Sequence, residues 1–130
     1  MSGMNLAQRF EQAMAVRTRA TPESIAPTDR VLNARCVVGV GEAMFLLEFE
    51  CGRLAACRRH AGLLVTYDFA VLGSEAAWNS LWSDPPPPGR QDLFGLYKTG
   101  EIRLEGRLEP FMAHLQYLKD LLASPRKEGR

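Results

Sequence analysis

The sequence has only three cysteines, Cys36, Cys51 and Cys57, and no CxxC spacing among them. That excludes a disulfide framework and predicts free thiols in a reducing, cytoplasmic setting, because three cannot all pair within one chain. An excess of charge of one sign is missing too: 16 basic and 15 acidic residues leave a net charge of +1, spread along the whole chain. Such a balance offers a nucleic acid no electrostatic footprint. No apolar run approaches the roughly eighteen residues of a membrane span, and MSGMNLAQRF has no apolar core of a signal peptide, so no transmembrane segment is expected. A glycine-rich phosphate loop, a GxSxG elbow, an HExxH helix and any fixed-period repeat are also absent. These absences argue against an enzyme and imply no cofactor.

Candidates for chemistry are correspondingly few. His60 lies three residues from Cys57 and could join Cys51 in a zinc site, but structural zinc wants four ligands in paired spacings and this set offers three. The simpler reading makes His60, beside Arg58 and Arg59, an exposed turn residue and makes Cys36 and Cys57 small core residues. His114 reads as a flank of an apolar stripe that keeps its ring in water, and Asp68 as a residue of a solvated strand face. No metal site follows from these residues.

What the chain does contain is periodic. Leu6, Phe10, Ala13 and Met14 predict an amphipathic helix near 5–16, on the outside of the domain. TRATPESIAPTD, from Thr18 to Asp29, has two prolines and no period, and reads as a connector. Strands are expected at 33–40, 43–50 and 53–57, joined by links short enough to make them antiparallel neighbours. In the second of these, Phe45, Leu47 and Phe49 share a face, so one side of the sheet is core and the other partly wet. The run LLVTYDFAVL predicts a strand over 63–72 with Leu63, Val65, Tyr67, Phe69 and Val71 on one face. Ser74 is a credible N-cap for a helix near 74–83 that carries Trp78 and Trp82. Pro85 to Pro88 stop it and hold the next loop extended; the greasy connector DLFGLYK follows. GEIRLEG predicts a strand at 101–105. From Leu108 the residues Phe111, Met112, Leu115, Leu118 and Leu122 predict one helix of about four turns over 110–123, with Glu109 at its N-cap, Pro110 at its first position and Ser124-Pro125 ending it.

The glycine turn in ECGRL, the strand and serine-started helix FAVLGSEAAWNSLW, and GEIRLEG leading into the last helix together resemble the sterol carrier protein 2 (SCP2) sterol-binding domain family, over roughly Ala34 to Leu122. The resemblance implies an α/β (α+β) fold: a five-stranded, mainly antiparallel sheet covered by helices, with an apolar tunnel that takes lipids. It divides the chain into 1–29 (helix and connector), 30–125 (the lipid-binding domain) and 126–130 (a charged tail). The four-proline loop departs from the family pattern. The ending RKEGR carries no organelle-targeting tripeptide, which argues against a peroxisomal carrier.

Trp78, Leu81, Trp82, Leu93, Phe94, Leu96, Tyr97, Phe111, Met112, Leu115 and Leu118 are read either as plain core or, with the resemblance, as the lining of a pocket, with Arg90 at its rim for an anionic headgroup. Two functions follow. One is non-catalytic binding and carrying of a fatty acyl, isoprenoid or sterol-like molecule. The other is an accessory or scaffold subunit for a partner enzyme of lipid, quinone or hydrophobic-compound metabolism. A homo-oligomer is compatible with both.

Overall fold

Runs in which every second residue is apolar lay down strands β1 (Ala34–Val40), β2 (Ala43–Glu50), β3 (Arg53–Arg59), β4 (Phe69–Gly73) and β5 (Ile102–Gly106). They form one sheet ordered β3-β2-β1-β4-β5. The computed structural model describes residues 5–19, 33–50, 53–59, 66–83, 85–88 and 93–128. Three strand pairs are antiparallel and the β1–β4 pair is parallel, so the sheet is mixed and mainly antiparallel, as expected. The β1–β2 turn needs Gly41, whose φ of 62° is costly for a side-chain-bearing residue, and the Gly41 N–H donates to the Gly73 carbonyl at 2.9 Å. That bond ties the hairpin to the end of β4.

Helices α1 (Leu6–Arg19), α2 (Glu75–Leu81), α3 (Leu93–Lys98), α4 (Leu108–Ala113), α5 (Leu115–Ala123) and α6 (Pro125–Glu128) complete the described structure. One core joins the helices to one sheet face: Cys36, Val38 and Val40 of β1, Phe45, Leu47 and Phe49 of β2, and Phe69 and Val71 of β4 meet Phe10 and Met14 of α1 and the buried residues of α2 to α5. The other face holds a smaller cluster of Val37, Leu46 and Ala70, with Glu48 3.1 Å from Arg58 and 3.6 Å from Arg35. Helix α1 is more than an outer helix, since Phe10, Ala13 and Met14 have no exposed surface. Its Arg9 donates to the Pro125 carbonyl at 3.2 Å and to the Trp82 carbonyl at 2.9 Å, and Arg126 donates to the Leu81 carbonyl at 2.6 Å. The carbonyls at the end of α2 thus find cationic donors from both ends of the described chain.

Several elements differ from the periodicity reading. The strand expected over 63–72 is strand only from Phe69; Thr66 to Asp68 are not, and 63–65 lie outside the described residues. Asp68 marks the boundary: its carboxylate accepts the Arg35 N–H at 2.9 Å and its carbonyl accepts the Arg107 N–H at 2.6 Å, which ties the start of β4 to both neighbouring strands. Tyr67, placed on the buried face by alternation, is 41% exposed. The connector DLFGLYK folds into α3 from Leu93, burying Leu93 and Leu96 at helical spacing. The long last helix is two helices that meet at His114, whose φ of −122° and ψ of 34° leave the helical region. It starts at Leu108 with Arg107 as N-cap in place of Glu109, and Pro110 is tolerated at the third helical position because the first N–H groups have no intrahelical partner anyway. Pro125 likewise opens α6 where it was expected only to end a helix.

The Trp78 indole N–H donates to the Gly39 carbonyl at 2.8 Å inside the core. Trp78→Phe leaves that carbonyl short of a donor and opens a gap, and is expected to lower unfolding stability by about 2 kcal/mol in a urea titration, with the fold retained.

Candidate functional site

Ser74 ends β4 and caps α2, its Oγ accepting the Ala77 N–H at 3.1 Å, and this fixes the angle at which α2 crosses the sheet. Both tryptophans therefore point inward. Trp82 donates its indole N–H to the Leu122 carbonyl at 2.8 Å, so Trp78 fastens α2 to β1 and the C-cap Trp82 fastens its end to α5. The two rings stack with centroids 5.2 Å apart, and Phe10 continues the row, 6.0 Å from Trp82 and 4.8 Å from Phe45.

Around this row the expected site residues divide. Trp78, Leu81, Trp82, Leu93, Leu96, Phe111 and Leu118 are buried in the single core. Phe94 and Leu115 are half-buried against it, while Tyr97 and Met112 are 43% and 50% exposed. Arg90 lies outside the described residues. Phe94 and Tyr97, one helical turn apart on α3, stack at 5.9 Å, and the Lys119 ammonium of α5 sits 5.9 Å above the Phe94 ring. The outer side of the α3–α5 pair is thus an aromatic ledge with a cation over it. An apolar molecule can be desolvated on such a ledge, and the ammonium can meet an anionic end.

The polar groups singled out in the sequence take structural places. Asp68 links β4 to β1 and to the start of α4, with the Arg107 guanidinium 3.5 Å away. His114 is buried at the α4–α5 break, contrary to the expectation of a ring in water. Cys36 and Cys57 are free thiols facing the core; burial pushes Cys36 up, with Cys57 adding to it, and pushes Cys57 up to about 12, with Glu11 adding to it. Neither is a thiolate at neutral pH. Burial also raises the Tyr117 phenol, against a hydrogen bond with the Leu54 backbone. Among the described residues no three of His, Cys, Asp and Glu come together in a metal-sized group, and Cys51 and His60 fall outside them. No helix of the described residues is long and apolar enough to cross a membrane.

A feature not anticipated from the sequence is a cleft of about 340 Å³ at the end of the sheet, lined by Gly39, Gly41, Met44, Leu72, Gly73, Ser74, Gly100, Glu101 and Arg103. Met44, Gly39, Leu72 and Arg103 occupy one row across four strands. The signal was Gly39, a lone glycine inside a strand pattern, which marks close approach of neighbours; a Cβ there would lie 2.9 Å from Leu72 Cδ2 and 3.1 Å from Met44 Sδ.

No protein-family model matches the chain, and no curated protein sequence does. Solved structures do. A crystal structure of sterol carrier protein 2 superposes with a TM-score of 0.67 at 14% identity, over 92% of this chain and 95% of that one. The solution structure of palmitated SCP2L2 from Aedes aegypti gives 0.56 at 14% identity, over 86% and 94%. A structure titled UbiJ-SCP2 Ubiquinone synthesis protein gives 0.54 at 17% identity, over 92% and 93%. The fold is therefore that of the SCP2 structures.

The raised thiols give a labelling test. Iodoacetamide at about pH 8 is expected to leave Cys36 and Cys57 unmodified in the native protein and to modify both in denaturant. Because the unfolded thiols ionise near pH 8.5 and the folded ones above it, stability is expected to fall as pH rises past about 8.5. Rapid native labelling of Cys57, read by peptide mass spectrometry, would contradict this.

Proposed function

We propose that the protein binds a lipid or other hydrophobic small molecule, of fatty acyl, isoprenoid or sterol-like type, in an apolar pocket and carries or presents it without catalysis in the cytoplasm. In this reading the pocket lies among α2, α3, α4 and α5. The observation that carries the reading is the set Phe94, Tyr97, Met112 and Leu115, large apolar side chains of the helical layer that the core leaves partly uncovered. Sharing a fold with sterol carrier protein 2 and with a palmitated relative supports the ligand class.

Binding of this kind needs only desolvation. Each buried CH₂ contributes about 0.8 kcal/mol, so ten methylenes give roughly 8 kcal/mol before ordering costs, enough for micromolar affinity. Lys119, over the Phe94 ring, and Arg90 then favour ligands with an acidic end.

A second reading, an accessory subunit that holds a partner enzyme, is favoured by the complete burial and hydrogen bonding of Trp78 and Trp82, which suit a filled core, and by the likeness in fold to a ubiquinone synthesis protein. Titration with palmitate, a long-chain acyl thioester, an isoprenoid and cholesterol, followed by tryptophan fluorescence, separates the two. Saturable binding at about micromolar concentration is expected for at least one, weakened about tenfold or more by Phe94→Asp, with Arg90→Ala weakening the acid and thioester more than cholesterol. No saturable change with any of the four, together with co-purification of another protein that depends on surface residues, would replace the carrier with the scaffold.

A further inference from the structure

Strand β5 is the last in the sheet order, and no other strand among the described residues pairs with its outer side. An edge strand presents a row of unpaired N–H and C=O groups, which invites another strand unless something covers or repels it. The residues of β5 read Ile102, Arg103, Leu104, Glu105, Gly106. Arg103 and Glu105 share the sheet face away from the helices, with their charged groups 3.3 Å apart and their side chains 68% and 45% exposed. Leu104 lies between them, turned to the helix-covered face and only half-buried there.

This order is self-complementary. We infer that β5 pairs antiparallel with β5 of a second copy of this chain, about a two-fold axis through Leu104, joining two five-stranded sheets into one. In that register Arg103 stands opposite the partner's Glu105 and Glu105 opposite the partner's Arg103. Directly opposed side chains in an antiparallel pair have Cβ atoms about 4.5–5.5 Å apart, within reach of an ion pair. At the axis Leu104 meets the partner's Leu104, which covers the half of each that the subunit leaves open. Ile102 stands opposite the partner's Gly106, which has no side chain to crowd it. The geometry is isologous, as a closed dimer requires.

The other edge of the sheet shows the contrast. Strand β3 carries no acidic residue between Arg53 and Arg59, so a second copy of β3 would bring arginines without an answering charge. The charge pattern therefore selects β5, and it does so independently of any ligand in the helical layer.

A five-residue strand pair is a small interface, so the dimer is expected to dissociate at about 1–100 µM. Sedimentation equilibrium of the purified full chain from about 1 to about 500 µM reads this directly. Two variants, Arg103→Glu and Glu105→Arg, set like charges opposite each other twice across the axis and should each weaken dimerisation at least about tenfold. The double exchange Arg103→Glu with Glu105→Arg restores the opposed pairs and should restore the dimer. Both side chains are exposed, and circular dichroism checks that each variant keeps the fold. A wild type that stays monomeric throughout, leaving the edge to another protein's strand, overturns the inference. So does a dimer that either single reversal leaves unchanged, or a double exchange that remains a monomer.

Discussion

Two indole N–H groups set the position of everything above the sheet. A buried indole N–H without an acceptor costs about 1–3 kcal/mol, so α2 lies where the Gly39 carbonyl of β1 and the Leu122 carbonyl of α5 are both in reach. The sequence around them is shaped to allow it. A Cβ at Gly73 would come within 2.9 Å of the Trp78 Nε1 and 2.8 Å of Ile102 Cδ1, so the end of β4 must stay bare for α2 to turn back over the strands. With the tryptophans placed, Phe10 and Phe45 extend the stack and bring in α1 and β2.

That architecture gives the two sheet faces different characters. The helix-covered face holds hydrocarbon, aromatic rings and protonated thiols, with Arg59 and Glu11 paired at its margin, whereas on the opposite face Glu48 lies between Arg35 and Arg58. The helical layer offers apolar surface, with the Lys119 ammonium over the Phe94 ring at one side.

Local signals reached the strands around Gly41, the Ser74 cap and the buried face of β2, because there alternation, turn chemistry and capping point the same way. They failed where the pattern runs past the element. The regular strand begins only after Asp68, though its alternation starts earlier, and His114 interrupts a stripe that continues across it. In α3, a six-residue run with a central glycine carries too little periodicity to distinguish a helix from a greasy loop. Of the candidate site, the identity of the apolar residues was legible but their depth was not. Phe111 is wholly inside and its neighbour Met112 half outside, because adjacent residues of α4 point in directions about 100° apart and the stripe read from the sequence was too wide to separate them.

The arginine contacts between α1 and α6 bear on how the chain is made. Residues 125 and 126 reach back to α1 and to the end of α2, through Arg9 to the Pro125 carbonyl and Arg126 to the Leu81 carbonyl. Phe10 packs on Phe45 and Trp82, so α1 can take its seat only once α2 has been made, and the arginine contacts close over that seat only after residue 126 has followed.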